Sequence, residues 1–498
     1  MAMNHTPPLD SAQKQPTLEE LVRRARAAYP AWRSLSVPQR MRHLERLKRL
    51  IYARRRDIAA VLVKDSARVQ FSAEGLIFEV LNTFGIARHA QQLLQQSTPI
   101  GLHPLWYRSK RSRLVIEPLG VVGVISPANS PFFESFQQLI QAVVMGNTVI
   151  IKPSERTPHV ARLMADLLTA ADLPAGVAAI LEGGPEQGQA LCQAPGVDKI
   201  VVYGTRETGQ AVMRACAATV KPAVWGLGGN EAAIVLDDCP LEYAAAGIVY
   251  GAFCNAGQTC SCTRRVFALP SVATQLEKLL CRQAQTLRLA PLADELNEIG
   301  GLKKTGDAQA LLAAVKEAQQ AGARLLMGGE YDAVSGRLSP IILADVKPSM
   351  RIMREEYMGP YLCCMRVESV DQAIALANDS IFGLTASVWT ADQRRGQQIA
   401  EQLQAGTVWI NDTQFYHYEL PYGGIKQSGN GKTCGREGLL EYVQRKLICA
   451  ETGLTPHFHW FPYSEKKLRV MRAMLTVKHD PSALARWRAF WRLMRGAA

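Results

Sequence analysis

The chain has 498 residues, 48% of them apolar and 20% charged, too long for one small core and ordinary for a globular enzyme of two or three lobes. No window reaches 18 uncharged apolar residues, which argues against a bilayer-spanning helix, and residues 1–16 lack the apolar stretch of a secretory signal. The net charge of +13 gathers at two ends, with twelve Lys/Arg against Glu45 over 23–56 and nine against Glu465 and Asp480 over 465–498; that argues against a nucleic-acid groove and for solvated helix faces or contact with an anionic membrane.

The first hundred residues predict helices. Over 40–63, Met41, Leu44, Leu47, Leu50 and Ile51 recur at three and four with arginines between them, a buried stripe beside a wet face. Short β-branched runs follow at Leu114-Val115-Ile116, Val121-Val122-Gly123-Val124-Ile125 and Thr148-Val149-Ile150-Ile151, then a helical pattern over 158–170. Ala178-Ala179-Ile180-Leu181, Lys199-Ile200-Val201-Val202-Tyr203 and Ala233-Ile234-Val235-Leu236 keep the rhythm, which predicts parallel βαβ units in a wound sheet. Beyond a junction near 226–229 a second lobe repeats it, with helices over 308–320 and 370–378 and strands at Ala386-Ser387-Val388-Trp389 and Thr407-Val408-Trp409-Ile410. The tail predicts one helix over 465–477 and another opened by Asp480 as N-cap and Pro481 in the first turn. Leu484, Trp487, Trp491 and Met494 share a face of that helix, among Arg486, Arg488, Arg492 and Arg495. Such a helix either packs on its own subunit or lies on anionic lipid.

Cys260 closes the small-residue turn Phe253-Cys254-Asn255-Ala256-Gly257-Gln258-Thr259, where nearby backbone N–H groups favour a thiolate. The 11 cysteines lack framework spacing, which points to a reducing, cytoplasmic compartment. Cys260 and Cys262 have no histidine or second pair at zinc spacing, so no metal is expected. The strand at 148–151 runs into Lys152, Ser154 and Glu155, at the carboxyl edge where wound sheets bind ligands, and Lys152 and Glu155 suit ribose hydroxyls. Tyr203-Gly204-Thr205-Arg206-Glu207-Thr208-Gly209 joins strand to helix without the Gly-Lys-Ser/Thr of a P-loop, a seat for the pyrophosphate of a dinucleotide. Asn129, fixed between Pro127 and Pro131, is either a turn residue or a donor to an oxyanion.

Taken in order, these segments resemble the aldehyde dehydrogenase superfamily over roughly residues 20–450. The likeness is carried by 118–127 with Asn129, by 152–155, by Gly204 and Gly209, and by Leu227-Gly228-Gly229. It continues through Gly257-Gln258-Thr259-Cys260, Glu355-Glu356-Tyr357-Met358-Gly359-Pro360, 378–384 and 421–429. The resemblance implies an α/β fold of two wound parallel-sheet lobes plus a small oligomerisation hairpin. Cofactor binding would fall at 1–102 and 118–226, catalysis at 227–443, and oligomerisation strands at 103–117 and 444–455; beyond the resemblance, 456–498 reads as a basic amphipathic extension. The resemblance implies NAD-dependent oxidation of an aldehyde through a Cys260 hemithioacetal and thioester, with Asn129 and the Cys260 N–H holding the oxyanion; a membrane-bound tail would suit a lipophilic aldehyde. Ile125, Ser126, Pro127, Lys152, Ser154, Glu155, Gly188, Gly204, Thr205, Gly209, Leu227, Glu356 and Met358 would line the cofactor, with Glu155 favouring NAD over NADP by repelling a 2′-phosphate. The expected partners are a small-molecule aldehyde and further copies in a homodimer or homotetramer, with peripheral contact through 465–498 on the inner face of a membrane as an alternative.

Some positions depart from that pattern. Gly226 stands where the family places the glutamate that activates water, and Thr433 where a second carboxylate often follows. Met358 replaces the usual phenylalanine and Ala128 a tryptophan, both keeping the site apolar. Loss of the glutamate leaves three readings: hydrolysis by another base or free water, acyl transfer to a thiol such as coenzyme A, or an impaired binding protein. Another carboxylate within reach of the Cys260 sulfur restores the hydrolytic one.

Overall fold

The computed structural model describes residues 16–101, 109–453, 457 and 459–495. The polar start expected over residues 1–15 lies outside the described residues, as do parts of the segments expected at 103–117 and 444–455.

The periodic arginine-rich run forms two helices, Val37–Ala53 and Arg55–Ser66, because Arg54 leaves helical geometry at φ −94° and ψ 14°. Leu44, Leu47 and Ile51 are buried while Arg42, Arg46 and Arg49 face water. Arg40 departs from the wet face: it is buried, and its Nη1 donates to the Val144 carbonyl at 2.7 Å.

The first sheet has six strands in the spatial order Gly429–Asn430, Ala223–Gly226, Lys199–Tyr203, Val121–Ile125, Thr148–Lys152, Ala178–Ile180. All neighbours are parallel except the first pair. Val121–Ile125 and Thr148–Lys152 are buried at every position, which is why they read as unbroken runs rather than alternating ones. The second sheet has seven strands, Arg324–Met327, Ile341–Ala344, Tyr361–Arg366, Thr263–Ala268, Glu231–Val235, Thr385–Trp389 and Thr407–Ile410. Only its edge strand Arg324–Met327 is antiparallel. The chain leaves the first sheet at Gly226 and returns to it at Gly429, where Gly429 and Gly226 are direct cross-strand partners.

A second compact unit comprises Ser97–Val115 and Lys446–Ala498. Its strands belong to a three-stranded sheet in the order Ser97–Ile100, Lys110–Pro118, Val443–Glu451. Helices Glu465–His479 and Ala483–Met494 pack on each other. The cap of the second is Ser482, not Asp480: the Ser482 hydroxyl accepts from the Ala485 N–H at 3.3 Å. Asp480 is used up in the link, its Oδ1 accepting from the Ser482 N–H at 2.9 Å, so the helix starts beyond Pro481. Among the described residues no helix is long and apolar enough to cross a membrane.

Candidate active site

Cys260 follows the helix Leu241–Phe253 and the tight turn Cys254–Gly257. Asn255 and Ala256 adopt left-handed φ values of 54° and 53°, and Gly257 one of 69°. A Cβ at Gly257 would lie 1.9 Å from the Gly359 carbonyl oxygen, so the turn admits only glycine there. Gln258 pins the next residue. Its Nε2 donates to the carbonyls of Asn255 (3.1 Å) and Gly301 (3.0 Å), and its Oε1 accepts from the Lys303 N–H at 2.9 Å. Asn129 reaches the same turn from the first sheet, its Nδ2 donating to the Gln258 carbonyl at 2.8 Å. The buried Arg68 holds the Asn129 carbonyl at 2.7 Å, and burial presses that guanidinium down to about 10. The two residues expected to act on the aldehyde are thus brought together.

The thiolate-favouring surroundings expected of this turn are not what the structure provides. Burial pushes the Cys260 thiol well above its ordinary value, and the carboxyls of Glu134, Glu356 and Glu231 push it the same way. Burial raises each of these in turn, Glu134 to about 8, Glu231 to about 8 and Glu356 to about 7. The correction has a simple origin: the turn's N–H groups are local, whereas the carboxyls arrive from three other segments.

The cofactor candidates gather at the carboxyl ends of the first sheet's parallel strands. Lys152 is buried, and its Nζ donates to the Pro153 carbonyl at 3.0 Å and to Glu155 Oε2 at 3.1 Å. Glu155 is exposed. What burial it has pushes its carboxyl up, but its own backbone N–H and Lys152 bring it below the usual range. The Ser154 hydroxyl accepts from the Arg156 N–H at 3.3 Å. Ser126 donates its N–H to the Lys152 carbonyl at 3.1 Å. Gly188 sits in the helix Pro185–Gln193, where a Cβ would be 3.7 Å from Lys152 Cδ and 3.8 Å from Ile125 Cδ1. Thr205 follows Gly204 and caps the helix Arg206–Ala217, accepting from the Thr208 N–H at 3.3 Å. Gly209 lets Leu227 approach, since a Cβ there would be 2.5 Å from Leu227 Cδ1. Glu356 Oε1 accepts from the Gly229 N–H at 3.3 Å, and a Cβ on Gly228 would collide with its carboxylate at 1.7 Å. Pro127 and Met358 are half-buried. A helix N-terminus for phosphate and a Lys–Glu pair for hydroxyls are the donors and acceptors that a dinucleotide needs at such an edge.

Cys260 lines a small cavity together with Glu134, Tyr203, Gly226, Tyr422 and Thr433. A Cβ at Gly226 would lie 2.5 Å from Tyr203 Cε1, so the Tyr203 ring fills the space a side chain at 226 would need. Thr433 accepts from Gln141 Nε2 at 2.9 Å and Gln138 Nε2 at 3.1 Å and donates to Gln137 Oε1 at 3.2 Å. Gln137 donates to the Tyr416 hydroxyl, and the Tyr442 hydroxyl donates to Gln138. Gly226 is thus closed off by the Tyr203 ring, and Thr433 is held in a network of amide and hydroxyl groups. Phe132 and Phe136 are core residues, and Phe133 meets the Tyr416 ring edge-on at 5.2 Å.

Glu134 carries no role in the sequence reading, and Tyr203 and Tyr422 enter it only as members of longer segments. The available signal is Glu134 itself, an acid set between Phe133 and Phe136 in the first turn of the helix Pro131–Val144.

Residues 10–448 match the aldehyde dehydrogenase family. The chain is 34% identical over 436 residues to the chloroplastic aminoaldehyde dehydrogenase ALDH10A8 of Arabidopsis thaliana, covering 86% of each chain. It is 32% identical over 459 residues to a 4,4′-diapolycopene aldehyde oxidase of Methylomonas sp, covering 91% of this chain and 85% of the relative. The crystal structure of an NAD-dependent aldehyde dehydrogenase from Sinorhizobium meliloti superposes with a TM-score of 0.84 at 32% identity, over 89% of this chain and 88% of that one.

Proposed function

Because the chain belongs to the aldehyde dehydrogenase family and is an NAD(P)-dependent oxidoreductase acting on aldehydes, we propose that it oxidises an aldehyde to a carboxylic acid with NAD through an acyl thioester on Cys260. The observation that carries this reading is the Cys260 thiol on the wall of a cavity, with Asn129 tied to its turn. The sulfur attacks the aldehyde carbon, its proton passing to a neighbouring carboxylate, while the Asn129 amide and the Cys260 N–H stabilise the oxyanion. Bound NAD supplies the hydride acceptor, after which the acyl group remains on sulfur. Lys152 and Glu155 would hold the adenosine ribose, the helix opened by Thr205 the pyrophosphate, and Glu356 the nicotinamide ribose. A quenched turnover with NAD and propionaldehyde should leave an acyl group on the peptide bearing Cys260; acylation nowhere, with NADH still formed, overturns the reading.

We assign 1–102 and 118–226 to cofactor binding, 227–443 to catalysis, and the strands at 103–117 and 444–455 to assembly of a dimer or tetramer. Ser97–Ile100 is exposed throughout, as an edge awaiting a partner would be. Eleven free cysteines suit a cytoplasmic setting. Glu155 favours NAD by repelling a 2′-phosphate. Glu155→Gln should therefore lower the preference for NAD over NADP by roughly tenfold, about 1.4 kcal/mol, read as the ratio of kcat/KM for the two cofactors. An unchanged ratio removes Glu155 from the discrimination.

The tail supports a membrane-facing role and, with it, a lipophilic aldehyde. Glu465–His479 has no buried residue, and Leu484, Trp487, Trp491 and Met494 are all exposed on the next helix. The nine Lys/Arg of 465–498 complement an anionic headgroup layer. The full chain should sediment with phosphatidylserine-containing vesicles, and Trp487→Ala with Trp491→Ala should weaken that binding by about tenfold or more. No sedimentation of the native chain at physiological salt sinks this assignment.

A further inference from the structure

Resting on the Cys260 thioester, we propose that Glu134 is the general base of deacylation, supplied from a different helix in place of the carboxylate missing at Gly226. Glu134 is the single carboxylate among the residues that line the cavity with Cys260 and Gly226. Its Oε2 has no hydrogen-bond partner among the described residues. The carboxyl is enclosed by protein yet faces the cavity, and it lies close enough to be the largest charged influence on the Cys260 thiol after burial. The other two carboxyls near the sulfur do not line this cavity. Glu356 accepts from the Gly229 N–H, and Glu231 accepts from the Thr385 N–H at 2.8 Å through one oxygen and lines a separate pocket.

The Glu134 carboxylate removes a proton from a water as the water oxygen bonds to the thioester carbonyl carbon. The tetrahedral adduct then breaks its C–S bond, and the proton held by Glu134 passes to the departing sulfur. Water and thioester thus become carboxylic acid and free thiol, with the base restored.

A structural role does not account for an acid here. Burial raises this carboxyl from 4.5 to about 8, so the folded state loses stability as pH climbs through that window, which a glutamine would avoid. A base poised near 8 is suited to proton transfer at working pH. The titratable groups facing it are Cys260, Tyr203, Tyr416, Tyr422, Tyr442, Cys434 and the cavity residue Lys432. Steady-state turnover should rise with pH through about 8.

The test is Glu134→Gln in the full chain with NAD and propionaldehyde. Acyl-enzyme should accumulate to one per site by intact mass, while steady-state NADH formation falls about 10²–10⁴-fold and its rise near pH 8 disappears. Hydroxylamine, which attacks a thioester without a base, should restore turnover, and Glu134→Asp should keep part of the pH-dependent rise. Turnover equal to the native rate overturns the proposal. So does a variant that raises KM for cationic aminoaldehydes alone, which would make Glu134 a substrate anchor. If native and variant chains both form NADH without acylated Cys260, the parent reading has failed instead.

Discussion

Cys260→Ser is expected to abolish aldehyde-dependent NADH formation, by on the order of 10⁶-fold, the scale seen when a catalytic nucleophile is removed. Serine keeps the shape of the turn, so the loss would be chemical. Nothing holding Gln258 or Gly257 involves the sulfur, and the variant should melt at the native temperature. Dinucleotide binding, followed by quenching of tryptophan fluorescence, should persist, because Lys152, Thr205 and Glu356 are untouched. The pH dependence of the native burst carries further information. With burial and three carboxyls raising the thiol, the attacking thiolate is scarce at neutral pH, so the burst rate should keep rising into the alkaline range. A serine variant that reduces dinucleotide at the native rate would place the chemistry elsewhere.

Much of the scaffold is legible because buried parallel strands leave an unambiguous trace. Val121–Ile125 and Thr148–Lys152 have no polar face to interrupt them. Helix Val370–Asn378 is equally clear, since the Ser369 hydroxyl caps it by accepting from the Gln372 N–H at 3.2 Å. Asp480 misleads because two good capping residues stand two apart, and the chain spends the first on the link between helices. The site is less legible for a different reason. Lys152, Asn129, Cys260 and Glu356 belong to short segments with recognisable chemistry, but Glu134 reads as an ordinary acid favoured by a helix N-terminus. Only the return of residues 422–433 to the first sheet encloses it with Tyr422 and Thr433 and brings it to bear on the sulfur.

Gly226→Glu is expected to destabilise the protein by about 1–3 kcal/mol, the usual penalty for overpacking, and to leave turnover no higher than native. The new Cβ would lie 2.5 Å from Tyr203 Cε1 and 2.8 Å from its Cδ1, and the strand it sits in is paired to Gly429 with no slack on that side. Tyr203 cannot simply swing out. Its phenol lines the enclosed cavity beside Glu134, and its ionisation is pushed well up by burial and then by Glu134. The tyrosine and the glycine therefore form one unit, in which the ring occupies what a side chain at 226 would require. Removing the ring should release the constraint: Gly226→Glu with Tyr203→Ala should recover most of the lost stability relative to Gly226→Glu alone, a coupling readable in a double-mutant cycle. Added to Glu134→Gln, that pair should raise steady-state turnover at least about tenfold over Glu134→Gln by itself, because a carboxylate again faces the thioester. If Gly226→Glu melts with the native protein while Tyr203 remains, the two residues do not compete for space. The absence of glutamate at 226 would then have no steric cause in this fold.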